Sequence, residues 1–186
     1  MNGYLSRKEV LALGFASVGD DVQISDKACF YGASKMRIGN HVRIDDFCLF
    51  VGNITLGNYV HIAATTNIHA SEGSFTMEDF TGLSAGVTVY AASDDYSGNY
   101  MTNPTVPSEF THTIASDIIV GKHTVVGTGS TILPGAVIPE GVSIGAMTLV
   151  RGELQPWSIY VGIPCRKIAD RSRRCEELEK QMSERK

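Results

Sequence analysis

Residues 120–150 read VGKHTVVGTGSTILPGAVIPEGVSIGAMTLV, and a bulky apolar residue returns at every sixth place: Val120, Val126, Ile132, Ile138, Ile144 and Val150. A period of six is neither the 3.6 of a helix nor the plain alternation of a strand, but it fits a short strand followed by a corner, repeated. The same register extends outward from this stretch. Val18, Ile24 and Phe30 form one series; Ile38, Ile44, Phe50, Leu56, Ile62 and Ile68 a second; Met77, Leu83 and Val89 a third. That makes eighteen anchor positions, every one apolar. Glycine often follows the anchor, as at Gly19, Gly39, Gly57, Gly121, Gly127 and Gly145, where it allows backbone angles other residues avoid. The place four after the anchor is mostly small or β-branched, from Val22, Ala28 and Ser34 to Val142 and Thr148. Anchors and small residues are therefore expected to point inward.

The rest of the composition agrees with many short strands. The chain has 186 residues and 20.1 kDa, with 19 Gly, 7 Phe, 7 Tyr and 1 Trp, which suits one domain with a short appendage. The net charge of −4 lacks the basic footprint that nucleic acid requires. No run approaches the roughly 18 apolar residues of a membrane helix. Val10 to Ala16, after Arg7 and Lys8, imitates the start of a signal peptide, but it is short and no cleavage site follows. Ser6 and Glu9 instead fit a capping box opening a short helix. Cys29, Cys48, Cys165 and Cys175 are scattered with no C-x-x-C pair, which reads as reduced thiols and a cytoplasmic setting.

The pattern apolar-Gly-x-x-small-x resembles the hexapeptide-repeat acyltransferases. The resemblance covers residues 18 to about 170. It implies an all-β solenoid: a left-handed parallel β-helix of about six triangular coils, three hexads to a coil. The expected layout is an N-terminal helix and lead-in over 1–17, the β-helix over 18–161 with a loop over 94–117, and a closing motif and C-terminal helix over 162–186. With the faces of each coil labelled a, b and c from Val18, every break in phase follows a c anchor: before Ile38, before Met77 and before Val120. All excursions should thus leave from one edge, and insertions on one face of a solenoid often mark the binding face. Pro156 and Pro164 break the pattern, and Asp170 to Lys186 reads as a charged helix with a Cys175, Leu178, Met182 stripe, expected to cap the open end.

A second motif carries the same resemblance. Gly162-Ile163-Pro164-Cys165-Arg166-Lys167-Ile168 looks like the closing motif of sugar acyltransferases in this family, which binds coenzyme A. Arg166 and Lys167 suit its phosphates through charge-assisted hydrogen bonds, with Pro164 fixing the chain between them and the coils. By position, the pantetheine arm would lie along Val126 to Ser130 and Ile144 to Thr148, which brings in Thr128, Gly129, Ala146 and Met147. Family members often have a Lys near Gly152; here the nearest base is Arg151. The long loop, with Asp94, Asp95, Tyr96, Asn99, Tyr100 and Asn103, has carboxylates and amides for sugar hydroxyls and rings for sugar C–H faces.

The family's usual catalytic His is missing from the strand leading into this loop, where Asp94 and Asp95 stand. His69 follows a c anchor one coil away, with Glu72 at the same corner. His69 is therefore expected to be the general base, oriented by Asp94 or Asp95, with Glu72, Tyr96, Asn99 and Asn103 binding the acceptor. His112, in the loop, is the rival base. His41, His61 and His123 fall at outward or corner positions and read as surface residues.

The leading expectation is transfer of an acetyl or other small acyl group from acetyl-CoA to a sugar hydroxyl, as in polysaccharide biosynthesis. N-acylation of an amino sugar, including a nucleotide-linked one, is the alternative that the same donor site would serve. A three-His zinc site, as in the carbonic anhydrases that share the solenoid, does not fit His spacings of 20, 8, 43 and 11, so no metal is expected. A non-catalytic scaffold leaves the closing motif and loop without a purpose. The resemblance further implies a homotrimer with a sugar or nucleotide-sugar acceptor bound between neighbouring prisms. Tyr31, Val51 and Tyr90, outward beside c anchors, suit such a contact.

Overall fold

The computed structural model describes residues 3–185. Met1, Asn2 and Lys186, the outermost residues of the expected lead-in and closing segments, lie outside the described residues. The chain winds as a parallel β-solenoid, a left-handed β-helix of about seven turns. The three faces follow the hexad register. Face a stacks Val18, Ile38, Leu56, Met77, Val120 and Ile138 in parallel pairing. Face b stacks Ile24, Ile44, Ile62, Leu83, Val126 and Ile144. Face c stacks Phe30, Phe50, Ile68, Val89, Ile132 and Val150.

The turn beyond the expected six is a further rung on face b. The strand Ser158–Val161 pairs with Ser143–Ile144 and places Tyr160 above Ile144. The hexad count misses it because Pro156 interrupts the phase and the anchor carries a hydroxyl. The Tyr160 hydroxyl accepts the Gln155 N–H at 2.9 Å, which removes the cost of burying it.

Sixteen of the eighteen anchors are buried; Val18 and Phe30, at the N-terminal end, are half-buried. Each buried anchor contributes about 1.5–3 kcal/mol of transfer free energy. Helix α1, Arg7–Ala12, opens with the capping box of Ser6 and Glu9 and covers that end with Val10. Phe15 meets Phe30 edge-on at 5.0 Å. Ser34 departs from its expected inward place: it sits in a 3-10 turn, Ala33–Lys35, and the buried Met36 fills the interior instead. Where glycine follows an a anchor, close rung contact is the reason. A methyl on Gly39 would strike the backbone carbonyl of Gly57.

The three edges between faces differ in kind. At the a/b edge, His41, Tyr59, Phe80, His123 and Trp157 all adopt positive φ; the first four rings stack along the prism, and Trp157 meets His123 tilted by 43°. His123 is therefore not a surface residue. It is buried between Phe80 and Trp157, and its Nε2 lies 2.8 Å from Glu179. Glu179 belongs to helix α2, Arg174–Ser183. This helix lies along the a/b edge and not across the open end, because Glu179 also meets Lys122 at 2.7 Å and Arg171 donates to the His123 carbonyl at 2.6 Å. Its expected stripe is loosely covered, with Leu178 half exposed. The end is closed instead by an antiparallel strand, Arg166–Asp170, paired with Ser158–Val161. At the c/a edge the chain makes every excursion: the turn at Ala33–Lys35, the corner around Gly73 within the strand Asn67–Met77, and a two-stranded ribbon, Ala92–Asp94 with Thr113–Ala115. No helix among the described residues is long and apolar enough to cross a membrane.

Candidate active site

A cleft of about 460 Å³ opens where the ribbon leaves the c/a edge. Ser71 and Glu72 line one side, Asp94 and Tyr96 the other, with Tyr90 and Leu133 between them. The ribbon explains Asp94: it ends the strand Ala92–Asp94, and its Oδ2 accepts the Asn103 N–H at 3.3 Å, so the returning loop holds the carboxylate. Ser74 donates to Asp117 at 2.7 Å and ties the Gly73 corner to the far end of the excursion. Three of the expected residues, Glu72, Asp94 and Tyr96, thus share one cleft that contains two carboxylates and no basic side chain.

The remaining loop residues are placed differently. The Ser97 side chain and the Ser97 N–H, which donates to Asp95, hold the Asp95 carboxyl below the usual range, and Asp95 builds the turn instead of lining the cleft. Asn103 spends its side-chain oxygen on Thr105, with bonds of 3.0 and 2.6 Å. Asn99 is exposed in the loop. His112 is exposed, with its ring 5.0 Å from that of Tyr100.

His69 does not meet Asp94 or Asp95. Register pairs it with Tyr90, and the two rings stack at 5.0 Å with an interplanar angle of 10°. The expected His–carboxylate pair fails because the side chain one rung above His69 is Tyr90, while Asp94 is carried four residues further along the ribbon. Burial alone acts on the imidazole and lowers its pKa from the ordinary value. His69 therefore backs the Tyr90 wall of the cleft.

The positions expected to hold the donor cluster at the b/c edge and the C-terminal end. Thr128, Gly129, Ala146 and Met147 stack at this edge through the pairing of Val126 with Ile144. The Met147 side chain lies over Gly129, where an added methyl would meet its sulfur at 2.6 Å. Thr128 and Ala146, small and exposed on adjacent rungs, leave the edge open to a narrow chain. Pro164 lies in the reversal between the last two strands, and Arg166 and Lys167 follow on the outer one. Arg151 and Arg166 are exposed, while Lys167 pairs with Asp170 at 2.7 Å. No cysteine is poised as a nucleophile at either site: burial pushes the Cys48 thiol up to about 11 and also raises Cys165. No group of side chains that could hold a metal occurs among the described residues.

Sequence reasoning passed over Ser71 and Thr113 in the cleft, and Ser84 at the b/c edge. It also passed over the Asp45–His61 pair, in which Oδ2 and Nε2 lie 2.8 Å apart. The signal for that pair was present, since Asp45 is the one acid directly after a b anchor.

No protein-family profile matches the chain. A dTDP-4-amino-4,6-dideoxy-D-glucose acyltransferase of Escherichia coli is 43% identical over 179 residues, 95% of this chain and 93% of that protein. Among solved structures, the S84A mutant of AntD, an N-acyltransferase from Bacillus cereus, superposes with a TM-score of 0.98 at 44% identity over the whole of both chains, in a complex with dTDP-4-amino-4,6-dideoxyglucose and coenzyme A. A second AntD structure, holding dTDP and 3-hydroxybutyryl-CoA, gives 0.96 over 99% and 98% of the chains. Other AntD structures carry substitutions at its serine 84 and aspartate 94, and this chain has Ser84 and Asp94 at those numbers. A maltose O-acetyltransferase from Clostridium difficile, 22% identical with a TM-score of 0.59, shares the fold alone. The six-residue register, the solenoid it builds and this near-complete likeness together place the chain in the hexapeptide-repeat sugar acyltransferases.

Proposed function

We propose that the chain transfers a short acyl group from coenzyme A to the amino group of a nucleotide-linked amino sugar, dTDP-4-amino-4,6-dideoxyglucose. The observation that carries this reading is the 43% identity across 95% of the chain to an acyltransferase of that sugar. It displaces hydroxyl acetylation, the leading expectation from sequence, in favour of the N-acyl alternative. The cleft supports the change. Asp94 and Glu72, with no basic neighbour lining it, suit an ammonium better than a neutral hydroxyl. Coenzyme A would supply the acyl group as a thioester; the bound ammonium first gives one proton to solvent, and transfer to the free amine then forms a C–N bond, breaks a C–S bond and moves one proton from nitrogen to the departing sulfur. In this reading Asp94 engages the amine and orients its lone pair. Tyr96 and Tyr90 offer rings to the sugar, and Arg151 and Arg166 meet the donor's phosphates.

The donor edge and the acceptor cleft lie on opposite sides of face c, roughly 15–20 Å apart at the rise of an extended chain. A second copy that sets its c/a edge beside the first copy's b/c edge would bring the two together. The outward column Tyr31, Val51, His69 and Tyr90 on face c supplies aromatic and apolar surface for the contact. The assembly proposed is a homotrimer, for which sedimentation should give three times 20.1 kDa. The function is tested by incubating the protein with acetyl-CoA or 3-hydroxybutyryl-CoA and the dTDP-amino sugar, then treating the product with hydroxylamine. An acyl product that survives this treatment is an amide. A product formed only on hydroxyl sugars, or cleaved as an ester, would overturn the assignment.

A further inference from the structure

The b/c edge offers more than a track for a cofactor arm. The residues directly after the b anchors stack as Ser25, Asp45, Ala63, Ser84, Gly127 and Gly145. Followed from Gly145 and Gly127 toward the N-terminal rungs, this column reaches a recess of about 210 Å³. Val125 stands above it, His61 below, and Ala63, Gly82, Ser84 and Ala85 between. The walls are small or apolar apart from the Ser84 hydroxyl and the His61 ring.

His61 is held there by a built network. Its Nε2 lies 2.8 Å from Asp45 Oδ2, while Asp45 Oδ1 accepts from Arg43 Nε at 2.7 Å and from the Tyr4 hydroxyl at 3.0 Å. Burial pushes the Asp45 carboxyl up, but the bonds from His61, Arg43 and Tyr4 outweigh it and keep the group ionised. A carboxylate opposite Nε2 assigns the proton of the neutral ring to that nitrogen. Nδ1 is then an acceptor, and among the described residues none donates to it.

We propose that this recess receives the acyl group and that Asp45-held His61 selects an acyl chain bearing a hydroxyl, through a hydrogen bond accepted at Nδ1. The inference rests on the acyl-CoA reading above. It separates three four-carbon chains by chemistry: a 3-hydroxyl can donate, whereas a 3-ketone only accepts and a methylene does neither. Asp45 acts through His61 as a positioning residue, because without its charge the ring can place its proton on either nitrogen.

Isothermal titration of the full chain with 3-hydroxybutyryl-CoA, butyryl-CoA, acetoacetyl-CoA and free CoA tests this without an acceptor. The wild-type protein should bind the hydroxy thioester about 5- to 10-fold tighter than either of the others, the range of one partly exposed hydrogen bond. His61→Leu should bring the three thioesters within about twofold of one another, with free CoA as the internal reference for an intact donor edge. Asp45→Asn should shrink the preference without abolishing it, and it serves as the second arm if His61→Leu does not fold. Equal wild-type affinities, or a preference that persists in His61→Leu, would overturn the inference while leaving the acyltransferase reading standing. Failure of free CoA itself to bind would remove both.

Discussion

Asp94→Asn is the substitution that most directly separates the two assignments of the chemistry. The Asp94 carboxylate accepts the Asn103 N–H at 3.3 Å, and an asparagine oxygen can keep that bond. The ribbon should therefore stay folded while the cleft loses one of its two carboxylates. A charge-assisted hydrogen bond to the sugar's amine contributes about 1.5–3 kcal/mol. At 1.36 kcal/mol per decade, kcat/KM should fall about 10- to 150-fold. His69→Ala removes a ring stack worth about 0.5–1.5 kcal/mol to the cleft wall, so its kinetic cost should stay below about tenfold. Product should be followed by chromatography of the amide, since exposed Cys29 would react with thiol reagents. If His69→Ala instead costs 10²–10⁴-fold, the range for a lost general base, and Asp94→Asn costs little, the reasoning fails. The pH profile gives a further check. Were His69 the base, the rate would rise through a pKa below its ordinary value, because burial lowers it. That inflection would disappear in His69→Ala.

Replacing Arg166 and Lys167 with Ala should weaken coenzyme A binding about tenfold by calorimetry. Arg166 should account for most of the loss, because Lys167 already pairs with Asp170; unchanged affinity would reduce the motif to a strand reversal. Glu179→Ala should lower Tm by about 2–12 °C, since it strips the buried His123 ring and Lys122 of their shared carboxylate, a loss of about 1–3 kcal/mol. The Lys122 bond lowers the Glu179 pKa, so this stabilisation is complete above the ordinary carboxyl range and is lost as pH falls through the native value. The gap in Tm between the two proteins should accordingly close in acid.

The fold was legible because one period controls it. Each anchor pairs in space with the anchor of the same face on the next coil, and the phase breaks all emerge at the c/a edge. What the period cannot carry is the side chain's reach past its own rung. Placing His69 and Val89's neighbours one rung apart was sound, yet the residue over His69 proved to be Tyr90. Asp94 depends on the ribbon's antiparallel pairing with Thr113, a contact that no hexad count contains. His123 was misplaced for a related reason. Its corner position reads as exposed until a distant helix brings Glu179 against it. By contrast, the aromatic ladder could have been found from sequence, since His41, Tyr59, Phe80 and His123 each stand three residues after an a anchor.

The three edges divide labour in a way that the charges make directional. On the b/c edge, the N-terminal rungs carry charges that are mostly paired, Asp46 with Lys27 and Asp45 with Arg43, each at 2.7 Å, whereas the rungs of Val126 and Ile144 carry only small or uncharged residues at the same corner. Beyond them stand Arg151 and Arg166, both exposed. In the proposed arrangement, a ligand with several phosphates at one end and a neutral thioester at the other is drawn by its phosphates to the last region, because the cations of the first, Lys27 and Arg43, already face carboxylates. The proposed donor therefore lies with its phosphates toward the C-terminal strands and its acyl group toward Ser84 and His61. Reversing the charges of Arg151 and Arg166 should disturb coenzyme A binding more than neutralising them would.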